Sequence, residues 1–110
     1  MDNSVQLYDL AGMGCGGAIP NLQLASSLAQ AGNMTVAGIA VEICSATFQM
    51  GNDMSLLISN ALFGDGAAAF IVSSERSGFE ILSSCSSVFP QFREAVRYVY
   101  KNGQLHNKLS

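Results

Sequence analysis

A cysteine surrounded by glycines lies near the start of this 110-residue chain. Residues Gly12–Gly32 read GMGCGGAIPNLQLASSLAQAG, so Cys15 comes just before a segment with the periodicity of an amphipathic helix. A helix N-terminus offers unpaired backbone N–H groups and a partial positive charge, which stabilise a thiolate. Gly14, Gly16 and Gly17 leave the adjacent amides open to a substrate carbonyl. This pattern predicts a nucleophile that accepts an acyl group as a thioester.

The sequence leaves alternative roles for the three cysteines and the single histidine. Cys15 itself could be structural, because a small thiol also packs well in a glycine turn. His106 could be its base, but a position between polar residues of a terminal hairpin favours a solvent-facing side chain. Cys85, in a serine-rich segment, is interpreted as a small buried side chain. Cys44 ends an apolar strand and could line a cavity, since ligands bind at strand ends in α/β sheets.

Two acidic residues stand in unusual surroundings. Glu42 is the one charge in an apolar run, and such a group is usually paired, hydrogen-bonded or functional. Asp65 lies between Gly64 and Gly66, which predicts a turn rather than a metal loop. The three cysteines are far apart and form no CxxC pair. Neither a disulfide framework nor a zinc site is therefore expected, and a reducing cytoplasm fits the sequence best.

The elements that must position these residues alternate between strand and helix. This order is an α/β pattern, and strands that are apolar on both faces need helices on both sides of the sheet. Two helices cannot cover three such strands, so the chain is interpreted as part of a larger α/β layer. The patterns predict strands at 5–13, 35–43 and 67–73, helices at 18–31 and from Asn52 or Asp53 to Leu62, an extended segment at 79–89, and a hairpin around Asn102-Gly103.

Composition excludes several classes of function. The chain is 49% hydrophobic and 12% charged, with net charge −3, which is typical of a globular domain with a partly covered surface. Its five basic residues are scattered and make no nucleic-acid footprint. The N-terminus lacks the basic region of a secretory signal. The longest apolar stretch, Thr35–Cys44, is shorter than the roughly 20 residues of a membrane span.

Three segments, in their order along the chain, resemble the type III polyketide synthases, the chalcone/stilbene synthase-like family of the thiolase superfamily. They are DLAGMGCGGAIPNLQLA, VEICSATF and NALFGDGAAAFIV. The EICS sequence and the C-terminal segment resemble bacterial members, and the resemblance covers essentially the whole chain. It implies a partial thiolase-like α/β domain over residues 1–110, namely the second half of the N-terminal αβα half-domain followed by a β-hairpin, without the catalytic C-terminal half.

The resemblance also implies roles for individual residues. Cys15 falls on the acyl-accepting nucleophile of the family. Phe63 falls on the aromatic gatekeeper between the coenzyme A tunnel and the cyclisation cavity. Cys44 and Thr47 fall on positions that line this cavity, and Glu42 matches a buried acid in a hydrogen-bonding network near the nucleophile.

The turn formed by Gly64, Asp65 and Gly66 shapes the gate in the family and is taken as structural. The implied acyltransferase loads an acyl-CoA starter on Cys15, extends it with malonyl-CoA and releases a cyclised product. It uses CoA thioesters as substrates without a metal or prosthetic group, as a cytoplasmic homodimer with no nucleic-acid or membrane partner. The family's catalytic His and Asn have no counterpart here, and His106 is not at the histidine position.

Two alternatives stay open. The chain could belong to another condensing enzyme of the superfamily, such as a ketoacyl synthase III or a hydroxymethylglutaryl-CoA synthase-like enzyme. It could also be a non-catalytic truncated remnant that associates with a partner subunit.

Overall fold

A computed structural model describes residues 4–109, in which helices and strands alternate before a C-terminal hairpin. Strands β1 and β2 form one two-stranded sheet, and β3 and β4 form another. Short 3-10 turns span Gly14–Gly17, Cys44–Thr47 and Pro90–Phe92. The helices are α1 (Ala18–Gly32) and α2 (Met54–Leu62), and the strands are β1 (Val36–Glu42), β2 (Gly66–Val72), β3 (Val96–Lys101) and β4 (Gln104–Leu109).

The chain divides into two compact units. The first comprises Met1–Ala40 and Ala68–Ser86, and the second comprises Val41–Ala67 and Ser87–Ser110. The first unit holds α1 and most of β1 and β2, and the second holds α2 and the hairpin. Neither helix has the length and apolarity needed to cross a membrane, within residues 4–109.

Helix α1 organises the first unit, and its predicted position is confirmed. It ends at Asn33, which adopts the left-handed conformation with φ 46° and donates its N–H to the Ala29 carbonyl. Ala25 and Ala29, four residues apart on one face, are only 2% and 1% exposed. The Asn21 side chain donates to the Ile39 carbonyl at 3.2 Å, which connects α1 to β1.

Strands β1 and β2 lie where the sequence predicts them, but the prediction that both are buried is wrong. Ile39, Val41 and Ile71 are 66%, 63% and 76% exposed. Each of these strands has one strand neighbour among the described residues, so one edge of each is unpaired. The exposed side chains show that the sheet faces are also largely uncovered. The Phe70 ring of β2 lies directly against Gly38 of β1, where a Cβ atom would overlap the ring.

Two segments outside the helices and strands, residues 5–13 and 79–89, differ from the predictions. Residues 5–13 do not form the predicted strand, because strand formation requires a hydrogen-bonded partner strand. Residues 79–89 carry no helix or strand assignment, and Pro90 begins a 3-10 turn. Cys85, in this segment, is exposed rather than buried as predicted, and residues 79–89 are exposed throughout.

Local sequence signals in the second unit are confirmed. The Asp53 carboxylate caps α2 by accepting the Leu56 N–H at 3.3 Å. The hairpin turns at Asn102 and Gly103, which have φ of 53° and 77°. Positive φ at both central residues is what a type I′ turn requires. The strands then pair antiparallel, with Lys101 opposite Gln104.

Helix α2 is connected to the hairpin by polar contacts along β4. The Ser55 hydroxyl donates to the Leu109 carbonyl at 3.4 Å. The Lys108 ammonium lies 3.5 Å from the Asp53 carboxylate. These contacts hold the hairpin beside the helix and so create the walls of the cavity described below.

Candidate active site

Cys15 lies in the 3-10 turn that leads directly into α1. Its thiol is exposed. The turn is closed by a hydrogen bond from the Gly16 N–H to the Met13 carbonyl at 3.2 Å. Gly17 occupies the N-cap of α1, so no side chain caps the helix, and its first turn contains no acidic residue. The cysteine therefore precedes a helix terminus whose own first turn carries no carboxylate that would offset its partial positive charge.

The glycines beside Cys15 differ in what the backbone requires. Gly12 and Gly14 have φ of 82° and 52°, conformations that other residues adopt at a cost. A Cβ atom at Gly16 would meet no atom within 4 Å. Gly14 is thus needed for the shape of the turn, whereas Gly16 leaves space next to the thiol.

A separate cavity of about 350 Å³ lies within the second unit. It is bounded by the 3-10 turn at Cys44–Thr47, by α2 and the turn that follows it, and by the hairpin. Apolar and polar side chains both contribute to the wall. The lining residues are Cys44, Ser45, Thr47, Phe48, Leu56, Ser59, Asn60, Phe63, Gly64, Asp65, Tyr98, Leu105 and Asn107.

Three of the predicted cavity residues, Cys44, Thr47 and Phe63, lie along this one cavity. Glu42 is outside it, but its carboxylate accepts a hydrogen bond from the Cys44 thiol at 3.5 Å. The expectation that Glu42 is buried is wrong, because Glu42 is the last residue of β1 and its side chain is exposed. The assigned roles of these four residues in chain length, gating and cyclisation stay predictions.

Ser45 and Asp65 form a contact that sequence reasoning did not find. The Asp65 carboxylate accepts the Ser45 N–H at 2.7 Å and the Ser45 hydroxyl at 2.6 Å. Both residues line the cavity, together with Gly64, while Gly66 begins β2. The carboxylate therefore joins the turn that carries Cys44 to the turn that follows Phe63. No sequence signal marks this pair, because its members are 20 residues apart.

These hydrogen bonds predict an unusual titration. The Ser45 hydroxyl, and after it the amides of Ser45 and Cys44, hold the pKa of Asp65 below its ordinary value. Since the pKa is lower in the folded chain, the contribution of this contact to stability is complete above the ordinary value of about 4 and is lost as the pH falls through the lowered one. Carbon-13 NMR of the aspartate carboxyls should show Asp65 titrating below pH 4. Ser45→Ala should move the midpoint upward, and an unchanged midpoint would contradict this cause.

A second hydrogen-bonded connection joins α2 to the hairpin, and the sequence analysis did not predict it either. The Gln49 amide donates to the Leu105 carbonyl at 2.6 Å. The Asn60 amide donates to the Gln49 carbonyl at 2.8 Å. Gln49 thus connects α2 to β4 across the loop that precedes the helix.

His106 lies elsewhere in the second unit. It lines a second cavity of about 260 Å³ with Lys101 and Lys108. The residue is half-buried, not solvent-facing as the sequence favoured, because β4 packs beside α2.

Comparison with known proteins identifies the family. Residues 1–82 match the FAE1/Type III polyketide synthase-like protein family. The chain belongs to this family. It is 30% identical over 94% of its length to a 3,5-dihydroxyphenylacetyl-CoA synthase of Streptomyces toyocaensis. It is 31% identical over 93% of its length to a probable 3-ketoacyl-CoA synthase 21 of Arabidopsis thaliana. It spans 29% and 23% of these two proteins.

The structural comparison confirms the predicted fold. The C-terminal type III polyketide synthase domain of Steely1 from Dictyostelium superposes with a TM-score of 0.78 at 24% identity. The match covers 90% of this chain and 29% of that domain. The family resemblance stated from the sequence is confirmed by the family match and the relatives above. The superposition shows that the chain corresponds to a partial thiolase-like fold.

Proposed function

We propose that the chain supplies the acyl-accepting cysteine and part of the acyl-binding cavity of a CoA-dependent condensing enzyme of the type III polyketide synthase kind. One observation carries this proposal. The 82 residues that match the family contain both the Cys15 turn and the cavity residues from Cys44 to Asp65.

The proposed chemistry begins at the Cys15 sulfur. A thiolate attacks the carbonyl carbon of an acyl-CoA thioester, the new carbon–sulfur bond forms as the bond to the CoA sulfur breaks, and CoA leaves as a thiolate that takes a proton from water. Malonyl-CoA then loses carbon dioxide, and the resulting carbanion attacks the acyl carbon and releases the cysteine. The 3-10 turn that carries this sulfur leads directly into the uncapped start of α1.

The cavity would receive the growing chain. Cys44 and Thr47 would contribute to its depth and Phe63 would act as an aromatic gate, as the family resemblance implies. We further propose that acyl-CoA and malonyl-CoA are the substrates, with no metal or prosthetic group, in a cytoplasmic homodimer. Nucleic acid and membrane are not proposed as partners, because the five basic residues are scattered along the chain.

A second candidate is a ketoacyl-CoA synthase that condenses once. It is favoured by the similarity to the Arabidopsis protein, which is as high as that to the bacterial synthase. The two candidates differ in their product. Malonyl-CoA added to the acylated chain would give one two-carbon extension in this case, and several extensions with ring closure in a polyketide synthase.

The loading step can be tested on the 110-residue chain with hexanoyl-CoA and intact-protein mass spectrometry. We expect a single hexanoyl adduct that is lost in Cys15→Ala and retained in Cys85→Ala. Cys85 is a matched control, because both thiols are exposed and only Cys15 precedes a helix. An adduct that persists in Cys15→Ala, or a folded chain without any adduct, would contradict the assignment.

A further inference from the structure

The hairpin brings together basic residues that lie apart in the sequence. Arg97 lies directly opposite Lys108. Val99 lies opposite His106, and Lys101 follows Val99 by two residues. Opposite residues of an antiparallel pair share a face, and side chains alternate along each strand. One face of the hairpin therefore carries three of the five basic residues of the chain, together with its single histidine.

Both lysines of the chain and the histidine line one cavity. This is the second cavity, of about 260 Å³, whose wall also includes the apolar residues Leu56 and Val99. His106 is the central member of the group. Lys108 is two residues along the same strand, which separates their Cα atoms by roughly 7 Å. Lys101 is its diagonal neighbour on β3, at roughly 7–8 Å. An anion beside the His106 ring is thus within reach of both long lysine side chains.

The charges of this cavity are only partly neutralised by the described residues. The Lys108 ammonium lies 3.5 Å from the carboxylate of Asp53, the acidic side chain of the wall. The side chains of Lys101 and His106 have no hydrogen-bond or ion-pair partner within residues 4–109. An imidazole offers an N–H donor whether it is neutral or protonated. Two donors therefore remain for a ligand, and with both lysines charged the wall is net positive.

Phosphate is the anion that best matches this set of donors. A phosphate monoester presents three strong acceptor oxygens and a charge of about −1.5 to −2 at neutral pH. Lys101, His106 and Lys108 supply one donor group for each oxygen. Lysine is a common phosphate ligand, which it binds as a point charge without the planar geometry that arginine requires.

We propose that the second cavity binds a phosphate group through Lys101, His106 and Lys108. This site is separate in its chemistry from the acyl-binding cavity, whose lining residues include none of these three. Phosphate binding depends on the hairpin alone. Coenzyme A carries a phosphate monoester, and identifying it as the source of the bound phosphate rests on the proposed function.

Inorganic phosphate is the first probe, and the ring of His106 is the reporter. The chain has one histidine, so its ring gives one set of NMR resonances. At fixed pH and ionic strength, phosphate should shift these resonances to saturation. Lys101→Gln should weaken binding about fivefold, the effect of losing one exposed ion pair. Arg76→Gln is the matched control, because it removes the same charge from a residue that does not line the cavity, and it should change the affinity less than twofold.

Two results would overturn the inference. One is the absence of a saturable shift. The other is equal weakening in Arg76→Gln and Lys101→Gln, which would show that phosphate responds to net charge alone. If Lys101→Gln does not fold, the lysine side-chain resonances of the unmodified chain decide the matter. Both lysines line the cavity, so phosphate should shift both, and unchanged lysine resonances would reject the site.

Coenzyme A and pantetheine distinguish the possible sources of the phosphate, because pantetheine lacks phosphate groups. Tighter binding of coenzyme A than of inorganic phosphate, without a ring shift from pantetheine, would assign the site to the CoA part of the substrate. Equal affinities of coenzyme A and inorganic phosphate would assign it to a free phosphate group. A ring shift from pantetheine as large as that from coenzyme A would contradict the proposal.

These titrations do not depend on acyl transfer. Phosphate binding without a Cys15 adduct would leave the inference standing and reject the loading step. A Cys15 adduct without phosphate binding would do the reverse.

Discussion

Replacing Asp65 with alanine is expected to make the Cys44 thiol react with iodoacetamide about tenfold faster. The carboxylate accepts two hydrogen bonds from Ser45, and this contact holds the 3-10 turn that carries Cys44 against the cavity. Loss of both bonds frees the turn and exposes a thiol that is now half-buried. The rate should be measured in a Cys15→Ala, Cys85→Ala background, where Cys44 is the remaining cysteine.

The two hydrogen bonds make separate contributions that variants can resolve. Ser45→Ala removes the hydroxyl but keeps the backbone N–H, so its effect should be roughly half that of Asp65→Ala on a logarithmic scale. The double variant should react no faster than Asp65→Ala, because the shared contact is already lost. Additive effects would show that Asp65 does not act through Ser45, and the contact would then have no role in shaping the cavity.

If these rates behave as expected, two parts of the cavity move together. The Ser45 turn carries Cys44 and Thr47, while Asp65 follows Phe63 by two residues. The position of the proposed gate would therefore depend on the turn that carries the proposed chain-length residues. A substitution at Ser45 would therefore alter the position of the gate and the position of the chain-length residues, although no role in the reaction is proposed for Ser45 itself.

The features that the sequence predicted correctly have local causes. Asp53 caps α2 through a residue three positions away, and Asn102-Gly103 determines its turn through its own backbone angles. Asn33 ends α1 for the same kind of reason. The family resemblance depends on short motifs with a fixed order and was therefore also recoverable.

The features that were missed depend on residues distant in sequence. The Ser45–Asp65 contact exists only once the turn that carries Cys44 lies beside the turn that follows Phe63. The side-chain oxygen of Asn107, which is buried and has no donor among the described residues, belongs to β4, which packs beside α2. The prediction of which residues are buried was wrong for a related reason. Glu42 and Cys85 were judged buried from the apolar or small residues around them, whereas exposure depends on which elements cover a segment. Apolar strands indicate that a face can be covered and do not indicate what covers it.

The second large effect is expected at the glycine turn. Gly14 has φ of 52°, and an L-residue in this region costs roughly 1–2 kcal/mol, with more for a β-branched side chain. Gly14→Val should therefore lower the free energy of unfolding by about 2 kcal/mol or rearrange the turn. In either case the chain should lose the preference for acylation at Cys15 over Cys85.

Gly16→Val is the matched control for this prediction. Gly16 does not have a positive φ, and a Cβ atom there would meet nothing within 4 Å. The control should therefore unfold at nearly the same urea concentration as the unmodified chain. Urea denaturation gives the stability of each variant, and peptide mapping after hexanoyl-CoA treatment gives the site of acylation. Equal losses of stability would mean that the positive φ at Gly14 is not what the turn requires. Equal stability with a changed acylation site only in Gly16→Val would mean instead that the open space beside the thiol, rather than the backbone shape, controls access to Cys15.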